Sequence, residues 1–387
     1  MNRELQNMSE ESLQNLEEIV ETELLTVEDI RNRLDVTEKG KIRQSIQNCK
    51  YVLEHDSCLN GAICRNEMTC QIDIMKKMPW KRRGVHMTDT DMNNLALYLE
   101  KNYGLTSDRV ITKAIDIVAN ENSFHPILEY LESLKWDGIP RIQYMLTHFF
   151  GAEDIDYTGE VMKMHMMGAI RRLYEPGAKY DIMLCLVGGQ GTGKSTFFRY
   201  LAIKDEWFTD DMKRIDDKKV YEYLQGHWIV EMSEMNAVAN AKSIEETKSF
   251  LSRQKDIYRI PYERRAEDRY RQCVFCGTSN DLNFLPFDRT GNRRFAPVRV
   301  FPEKAETTIY ENEAESRLYI IQAWAEAMEI YRSGNYPLTF SPEMEDHVKL
   351  LQREFMPEDT QTGMIQAFLD SYRSQMAVKR NRGSDGQ

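Results

Sequence analysis

An α/β fold is predicted for this chain of 387 residues, with an α/β core and helical regions on both sides of it. The apolar run 182–187 is typical of a buried strand, and the segment 188–195 that follows it fits the phosphate-loop pattern G-x-x-x-x-G-K-[ST]. A second apolar run, 228–230, leads into Glu231. Buried strands that end in polar residues and alternate with helices are typical of a parallel sheet with a site at its carboxyl edge.

Composition and charge limit the class of protein. The chain has 41% hydrophobic and 29% charged residues, no apolar stretch of membrane-spanning length, and a polar start unlike a signal peptide. We therefore expect a cytoplasmic protein with no membrane partner. Seven scattered cysteines predict neither a disulfide framework nor a zinc site. The formal net charge of -11 argues against nucleic-acid binding over the whole surface but allows a local basic strip.

Helical periodicity and turn residues divide the chain into four regions. Residues 1–90 are predicted to be a mostly helical N-terminal region, and residues 91–178 a helical bundle that is a candidate oligomerisation collar. Residues 179–301 contain the predicted nucleotide-binding core. Residues 302–387 return to helix and end in a polar, glycine-containing tail, which is typical of a disordered terminus.

The segment 188–195 is the first candidate site. Its glycines allow backbone N–H groups to close around phosphates, Lys194 supplies a charge to the outer phosphates, and Ser195 offers a hydroxyl to Mg²⁺. A strand before it and a helix start after it favour a nucleoside triphosphate site, with ATP and Mg²⁺ as cofactors, over a chance glycine-rich turn. The predicted nucleotide-binding residues are Gly188, Gly189, Gln190, Gly191, Thr192, Gly193, Lys194, Ser195 and Thr196.

Two acidic residues follow the second apolar run, and an amide follows a third. Glu231 is predicted to hold Mg²⁺ together with Ser195, and Glu234 to polarise the attacking water. The alternative is that both glutamates are solvated residues at a strand end. The run 273–279 ends on Asn280, whose amide can contact the γ-phosphate or the attacking water.

Arg293 and Arg294 complete the predicted catalytic set. An arginine that points at the nucleotide of a neighbouring subunit stabilises the charge that develops during phosphoryl transfer. Taken alone, adjacent arginines are more often a surface salt-bridge pair. Because they follow a phosphate loop, an acidic strand end and an asparagine-tipped strand, we favour the catalytic role.

These motifs, in this order, resemble the virulence-associated protein E family, a branch of the superfamily 3 helicases within the AAA+ ATPases that is found mostly on phages and genomic islands. The resemblance covers roughly residues 50 to 370 and includes the segments 125–131, 136–138, 226–231, 261–262, 264–265 and 290–295. It implies a P-loop AAA+ core in a hexameric ring that moves 3′ to 5′ on single-stranded DNA with ATP, inside a bacterial host cell.

The same resemblance implies roles for individual residues. Lys194 and Ser195 match the Walker A motif of the family, Glu231 matches Walker B, Asn280 matches sensor 1, and Arg293 or Arg294 matches the arginine finger. Many relatives place two acidic residues side by side at Walker B, whereas Met232 follows Glu231 here. The role predicted for Glu234 therefore rests on its position after the apolar run and not on the resemblance.

Related helicases also insert a β-hairpin between Walker B and sensor 1, and it projects into the pore of the ring. Here this interval interleaves basic and aromatic residues, which suits a single strand because cations meet phosphates and rings stack on bases. The alternative is that these residues make inter-subunit or surface contacts. The predicted DNA-binding residues are Lys255, Arg259, Tyr262, Arg264 and Arg265.

Three functional classes follow from this reading. We favour a ring helicase that acts on single-stranded or forked DNA in the replication of a phage or mobile genetic element. The second class is an AAA+ remodeller, loader or phage-interference factor that binds nucleic acid without unwinding it, and the third is a nucleotide-switched assembly module. No primase metal pattern is present, so any primase or origin-binding protein is expected to be a separate chain.

Overall fold

The computed structural model describes residues 25–212, 223–235, 241–258, 267–285 and 292–357. The chain divides into two compact units, Met1–Pro126 and Ile127–Gln387. The division into four regions made from the sequence stays a prediction. Within the described ranges, no helix combines the length and apolar character needed to cross a membrane.

The described part of the first unit packs four helices around a short antiparallel hairpin. The threonines that precede its first and third helices, Thr26 and Thr88, both form capping boxes, with Asp29 and Asp91 respectively. Its core lies between the apolar faces of the second and fourth helices and the hairpin. In chain order the elements are α1 (Val27–Arg33), α2 (Ile46–His55), β1 (Ile63–Arg65), β2 (Ile72–Ile74), α3 (Asp89–Tyr103) and α4 (Asp108–Glu121).

Three helices open the second unit, and the longest of them packs against its sheet. The long methionine-rich helix is buried along most of its length and contacts the two central strands of that sheet. Gly168 on this helix is needed for the close approach, because a Cβ there would lie 2.6 Å from the ring of Tyr180. The helices are α5 (Pro126–Ser133), α6 (Met145–Phe150) and α7 (Ile155–Tyr174), with a 3₁₀ turn at Ile142–Tyr144.

A parallel five-stranded sheet forms the centre of the second unit. Its strands are β3 (Met183–Val187), β4 (Phe208–Thr209), β5 (Ile229–Met232), β8 (Val274–Ser279) and β9 (Phe295–Arg299), in the spatial order β4-β5-β8-β3-β9. Every residue of β3, β5 and β8 is buried, as expected for strands covered on both faces. The mixed α/β fold predicted from the sequence is therefore confirmed.

Four more helices and an antiparallel strand pair lie in the described part of this unit. The helices are α8 (Lys194–Leu201), α9 (Ala241–Leu251), α10 (Glu313–Ser333) and α11 (Pro342–Glu354), and the strand pair is β6 (Lys255–Tyr258) with β7 (Glu267–Tyr270). On α10, Trp324 is fully buried, donates to the carbonyl of Leu201 at 2.9 Å and lies 4.4 Å from the ring of Trp228. The pair β6–β7 agrees with the hairpin predicted between Glu231 and Asn280.

Candidate functional site

The strand order brings three predicted segments to one edge of the sheet. The segment 188–195, which we call the phosphate-loop segment, follows β3, Glu231 lies in β5, and Asn280 follows β8. The strands β5, β8 and β3 are adjacent and parallel, so their carboxyl ends meet at the same edge. Crevices outside the carboxyl ends of parallel strands are where ligands bind in α/β sheets.

Both conformation and space require glycine in the phosphate-loop segment. Gly191 and Gly193 have φ angles of +78° and +86°, in the left-handed region that favours glycine. A Cβ at Gly188 would lie 2.3 Å from Val300 Cγ2, and one at Gly193 would lie 2.4 Å from Ile309 Cγ2. The segment turns directly into α8, whose N-terminus carries no side-chain cap. Its first backbone N–H groups are therefore available to an anion.

Lys194, near the end of this segment, is buried. Its Nζ donates to the carbonyls of Gly188 at 2.8 Å and Gly189 at 2.7 Å, and to Asn280 Oδ1 at 3.1 Å. Burial lowers the pKa of Lys194, and the charge of Glu231 acts in the opposite direction. The contact with Asn280 shows that residues 86 positions apart meet at one point.

Glu231 is fully buried and joins the phosphate-loop segment through Ser195. Its Oε1 accepts from Ser195 Oγ at 2.7 Å and from Thr278 Oγ1 at 2.6 Å, whereas its Oε2 has no hydrogen-bond partner among the described residues. Burial raises the pKa of Glu231, and the hydrogen bonds from Thr278 and Ser195 lower it.

This arrangement fits Mg²⁺. A buried carboxylate oxygen without a partner lies next to a serine hydroxyl, and both are the hard oxygen ligands that Mg²⁺ prefers. No group of three or more acidic, histidine or cysteine side chains in the described part of the chain could hold a metal ion by itself. Mg²⁺ at phosphate-transfer sites is held by one or two protein ligands with substrate phosphates and water, so such a group is not required.

Glu234 lies outside this network. It is exposed and follows the end of β5, with a φ angle of 44° that is uncommon for a residue other than glycine. Conformations of this kind cost of order 1–3 kcal/mol and cluster at functional sites. Glu231, and not Glu234, is in contact with Ser195. The role of Glu234 in polarising water stays a prediction.

The two arginines lie at the opposite edge of the sheet. They immediately precede β9, whose first residue pairs with Met183 at the start of β3. The phosphate-loop segment begins after Val187, four residues further along β3, which is roughly 13 Å at the rise of a strand. Neither arginine is therefore brought to the phosphate-loop segment of its own chain.

The two arginines differ in their surroundings. Arg294 is half-buried: its Nε donates to Ser252 Oγ at 2.8 Å and lies 3.2 Å from Asp181 Oδ2. Arg293 is exposed, and no ion pair or hydrogen bond joins it to another described residue.

The predicted DNA-binding hairpin is described only at its base. Arg259, Tyr262, Arg264 and Arg265 lie outside the described residues, and Lys255 forms an ion pair with Asp268 across the hairpin.

The hairpin base is anchored by a buried ion pair. Arg271 donates to both carboxylate oxygens of Asp256, at 2.6 and 3.0 Å, and its guanidinium lies 4.3 Å from the centre of the Phe250 ring. Bidentate pairs of this kind fix geometry. They hold the base of the hairpin against the end of α9.

Three further residues at the site were not predicted from the sequence. Thr278 holds Glu231 and lies two residues before Asn280, so strand alternation could have identified it. The charge of Asp210, just beyond β4, contributes to the raised pKa of Glu231. Tyr310 Oη lies 3.0 Å from Thr196 Oγ1, and it comes from so far along the chain that no local pattern points to it.

Comparison with protein families gives one match. The model of the virulence-associated protein E-like domain family matches residues 131–357, which is more than half of the chain. A search of curated proteins finds no match.

Solved structures of the C-terminal region of NrS-1 are similar to the chain at low identity. The A form apo structure of this region is 15% identical with a TM-score of 0.47, and the similarity covers 75% of this chain and 71% of that one. The apo structure of residues 305–718 is 16% identical with a TM-score of 0.43, covering 74% and 70%.

Proposed function

This chain belongs to the virulence-associated protein E-like domain family, and from that premise we propose that it is an ATP hydrolase with an AAA+ core, a ring-forming DNA helicase in the replication of a phage or mobile genetic element. The observation that supports the proposal best is the meeting of Lys194, Ser195, Glu231 and Asn280 at one edge of a parallel sheet. These are the positively charged, metal-side and γ-phosphate-side groups that phosphoryl transfer requires.

Each group has a step in the proposed reaction. Lys194 exchanges the carbonyls of Gly188 and Gly189 for the outer phosphates, which keeps its ammonium hydrogen-bonded. Ser195 and the unpartnered Oε2 of Glu231 would hold Mg²⁺, which would neutralise charge on the phosphate oxygens. Asn280 orients the γ-phosphate or the attacking water.

The position of the arginines supports a proposed oligomer. A transition-state arginine is needed at the γ-phosphate, and within one chain Arg293 lies at the wrong edge of the sheet. A neighbouring subunit can supply it, which supports a closed homo-oligomer, a hexamer in the proposed ring. In this ring the hairpin β6–β7, with its tip arginines, would contact single-stranded or forked DNA. A primase or origin-binding protein would be a separate partner.

Strand displacement on a labelled forked DNA tests the proposal. We expect displacement that requires ATP and Mg²⁺ and is lost in Lys194→Ala, with Lys349→Ala on the surface of α11 as the matched control. Hydrolysis and DNA binding without displacement would instead support the remodeller. Nucleotide-dependent assembly without DNA binding would support the assembly module.

The hairpin has its own measurement. Arg259→Ala or Arg264→Ala should each lower the salt dependence of single-strand affinity by about 0.7 in log–log slope, because one phosphate contact is lost. ATP hydrolysis measured without DNA should stay close to wild type, because other residues form the ATP site. An unchanged slope would exclude the hairpin as the DNA contact.

A further inference from the structure

A basic loop in the first unit is not part of the proposed ATP site or of the hairpin. It connects β2 to α3 and covers residues 75–85, and we call it the basic loop. Five of its residues are cationic: Lys76, Lys77, Lys81, Arg82 and Arg83. In a chain with a formal net charge of -11, such a local concentration of one sign can attract a polyanion.

The basic loop is held in one conformation by Asp91 on α3. Asp91 is buried, and its Oδ1 accepts from Trp80 Nε1 and from Arg82 Nε, both at 2.9 Å. Arg82 also donates to the carbonyls of Ile74 at 3.2 Å and Val85 at 3.0 Å. Although burial opposes it, the hydrogen bonds from Trp80, Thr88 and Arg82 lower the pKa of Asp91 to about 2. This anchor therefore stays charged at neutral pH.

The remaining cations of the loop point into solvent. Lys76, Lys77, Lys81 and Arg83 are all exposed, and no hydrogen bond or ion pair joins them to any residue that the structure describes. Lys50 of the same unit is paired, by contrast, because it contacts Glu54 and Glu121 at 2.9 Å. The basic loop therefore presents four uncompensated charges on a fixed backbone.

Two of these exposed charges flank the anchored Arg82. Trp80 and Arg82 turn inward to Asp91, and Lys81 and Arg83 alternate with them and are exposed. Because Asp91 anchors the loop through Trp80 and Arg82, binding orders little additional backbone, which favours association with a charged polymer.

We propose that the basic loop binds the phosphate backbone of DNA without reading its sequence. The choice of DNA among polyanions rests on the proposed function, whereas the charge and the fixed geometry do not. The binding needs no nucleotide, because no residue of the ATP site takes part. Single-stranded and duplex DNA share the phosphate chemistry, and the experiment distinguishes them.

The test compares two triple variants of the full chain. K76Q/K81Q/R83Q removes three cations from the basic loop, and K101Q/R109Q/K113Q removes two lysines and one arginine, also exposed, from α3 and α4 of the same unit. Both variants change the net charge equally, and none of the six side chains is buried. Fluorescence anisotropy of labelled single-stranded and duplex oligonucleotides, without nucleotide, is measured between about 50 and 200 mM salt.

The loop variant should lose about 2.1 in log–log salt slope on single strands or about 2.7 on duplex, since each released contact accounts for about 0.7 or about 0.9. Its affinity should fall on the order of a hundredfold near 0.1 M salt on the form that the loop binds. The control variant should keep the wild-type slope, and both should keep the wild-type melting temperature.

Three results would overturn the proposal. These are no DNA binding by the wild-type chain, an equal loss of slope in the two variants, and competition by poly-glutamate as effective as competition by DNA, which would identify an acidic protein partner. Failure of the proposed function is separable from these outcomes. Loop-dependent DNA binding by a chain without ATP hydrolysis supports the basic loop and refutes the ATPase.

Discussion

Replacement of Glu231 by glutamine tests the metal-side role directly. The amide keeps the size of the side chain and an acceptor oxygen for Ser195 and Thr278, but it removes the negative charge and puts an NH₂ donor where Oε2 has no partner. Glu231→Gln therefore changes the charge at the site and leaves its packing nearly intact.

The structure sets the size of the effect. Three hydrogen bonds to the carboxylate, from Ser195, Thr278 and Ser233, each of about 1.5–3 kcal/mol, become neutral bonds of about 1 kcal/mol, and relief of the buried charge offsets part of this loss. A net change of about 1–2 kcal/mol moves the melting temperature by a few degrees. Loss of one electrostatic contact in the transition state costs about 10²–10³ in kcat. Hydrolysis should therefore fall far more than stability.

Two measurements on each variant separate binding from chemistry. With ATP at about 100 times its Kd, nucleotide should stabilise the wild type and Glu231→Gln alike, by about 2.7 kcal/mol. Steady-state hydrolysis in a Mg²⁺ titration should fall by at least a hundredfold in Glu231→Gln, with a higher Mg²⁺ midpoint. Glu234→Gln should also keep nucleotide and lose hydrolysis, but at the wild-type Mg²⁺ midpoint. Glu343→Gln, exposed on α11, is the control.

Wild-type hydrolysis by Glu231→Gln at the wild-type Mg²⁺ midpoint would refute the metal-side role. Loss of nucleotide stabilisation together with a collapse of the melting temperature would show that Glu231 serves the fold alone. A shifted Mg²⁺ midpoint in Glu234→Gln, and not in Glu231→Gln, would reverse the two assignments.

Three more predictions concern other parts of the second unit. Lys194→Ala should abolish ATP turnover, because no neighbour replaces its contact with the outer phosphates, and wild-type turnover in this variant would remove the phosphate-loop hypothesis. Arg293→Ala should lose ATP hydrolysis, and mixing it with Glu231→Gln protein should restore part of the activity, because some interfaces then combine an intact Arg293 with an intact Glu231. Arg294→Ala should chiefly lower the melting temperature, since Arg294 is bound within its own chain. Zero recovery in verified mixed oligomers would contradict the role in trans. Burial lowers the pKa of His165 to about 4 against about 6.5 in the unfolded chain, so the unfolded state takes up the proton first as the pH falls. The free energy of unfolding should therefore fall by roughly 3 kcal/mol as the pH is lowered from above 6.5 toward 4. Urea unfolding at several pH values measures this loss, which should be smaller in His165→Met.

Local patterns were enough to predict the α/β fold, the phosphate-loop segment and the family. Apolar runs, a glycine-rich turn and a strand-end carboxylate are written in consecutive residues, and glycine is required where φ is positive, as at Gly191 and Gly193. The basic loop was within reach of the same kind of analysis, because its five cations lie within the eight residues 76–83. Its exposure was not, because Asp91, further along the chain, turns Trp80 and Arg82 inward.

Only the tertiary structure decided which of these groups meet. The order β5-β8-β3 places Thr278 against Glu231 and Asn280 against Lys194, and leaves Glu234 exposed. It also puts the arginines at the far edge, with Arg294 held by Asp181 and Ser252 and Arg293 exposed. Strand order arises from pairing between residues tens of positions apart, and no local periodicity records that pairing. Sequence therefore determined which chemical groups are present, and the non-local packing determined which of them can act together.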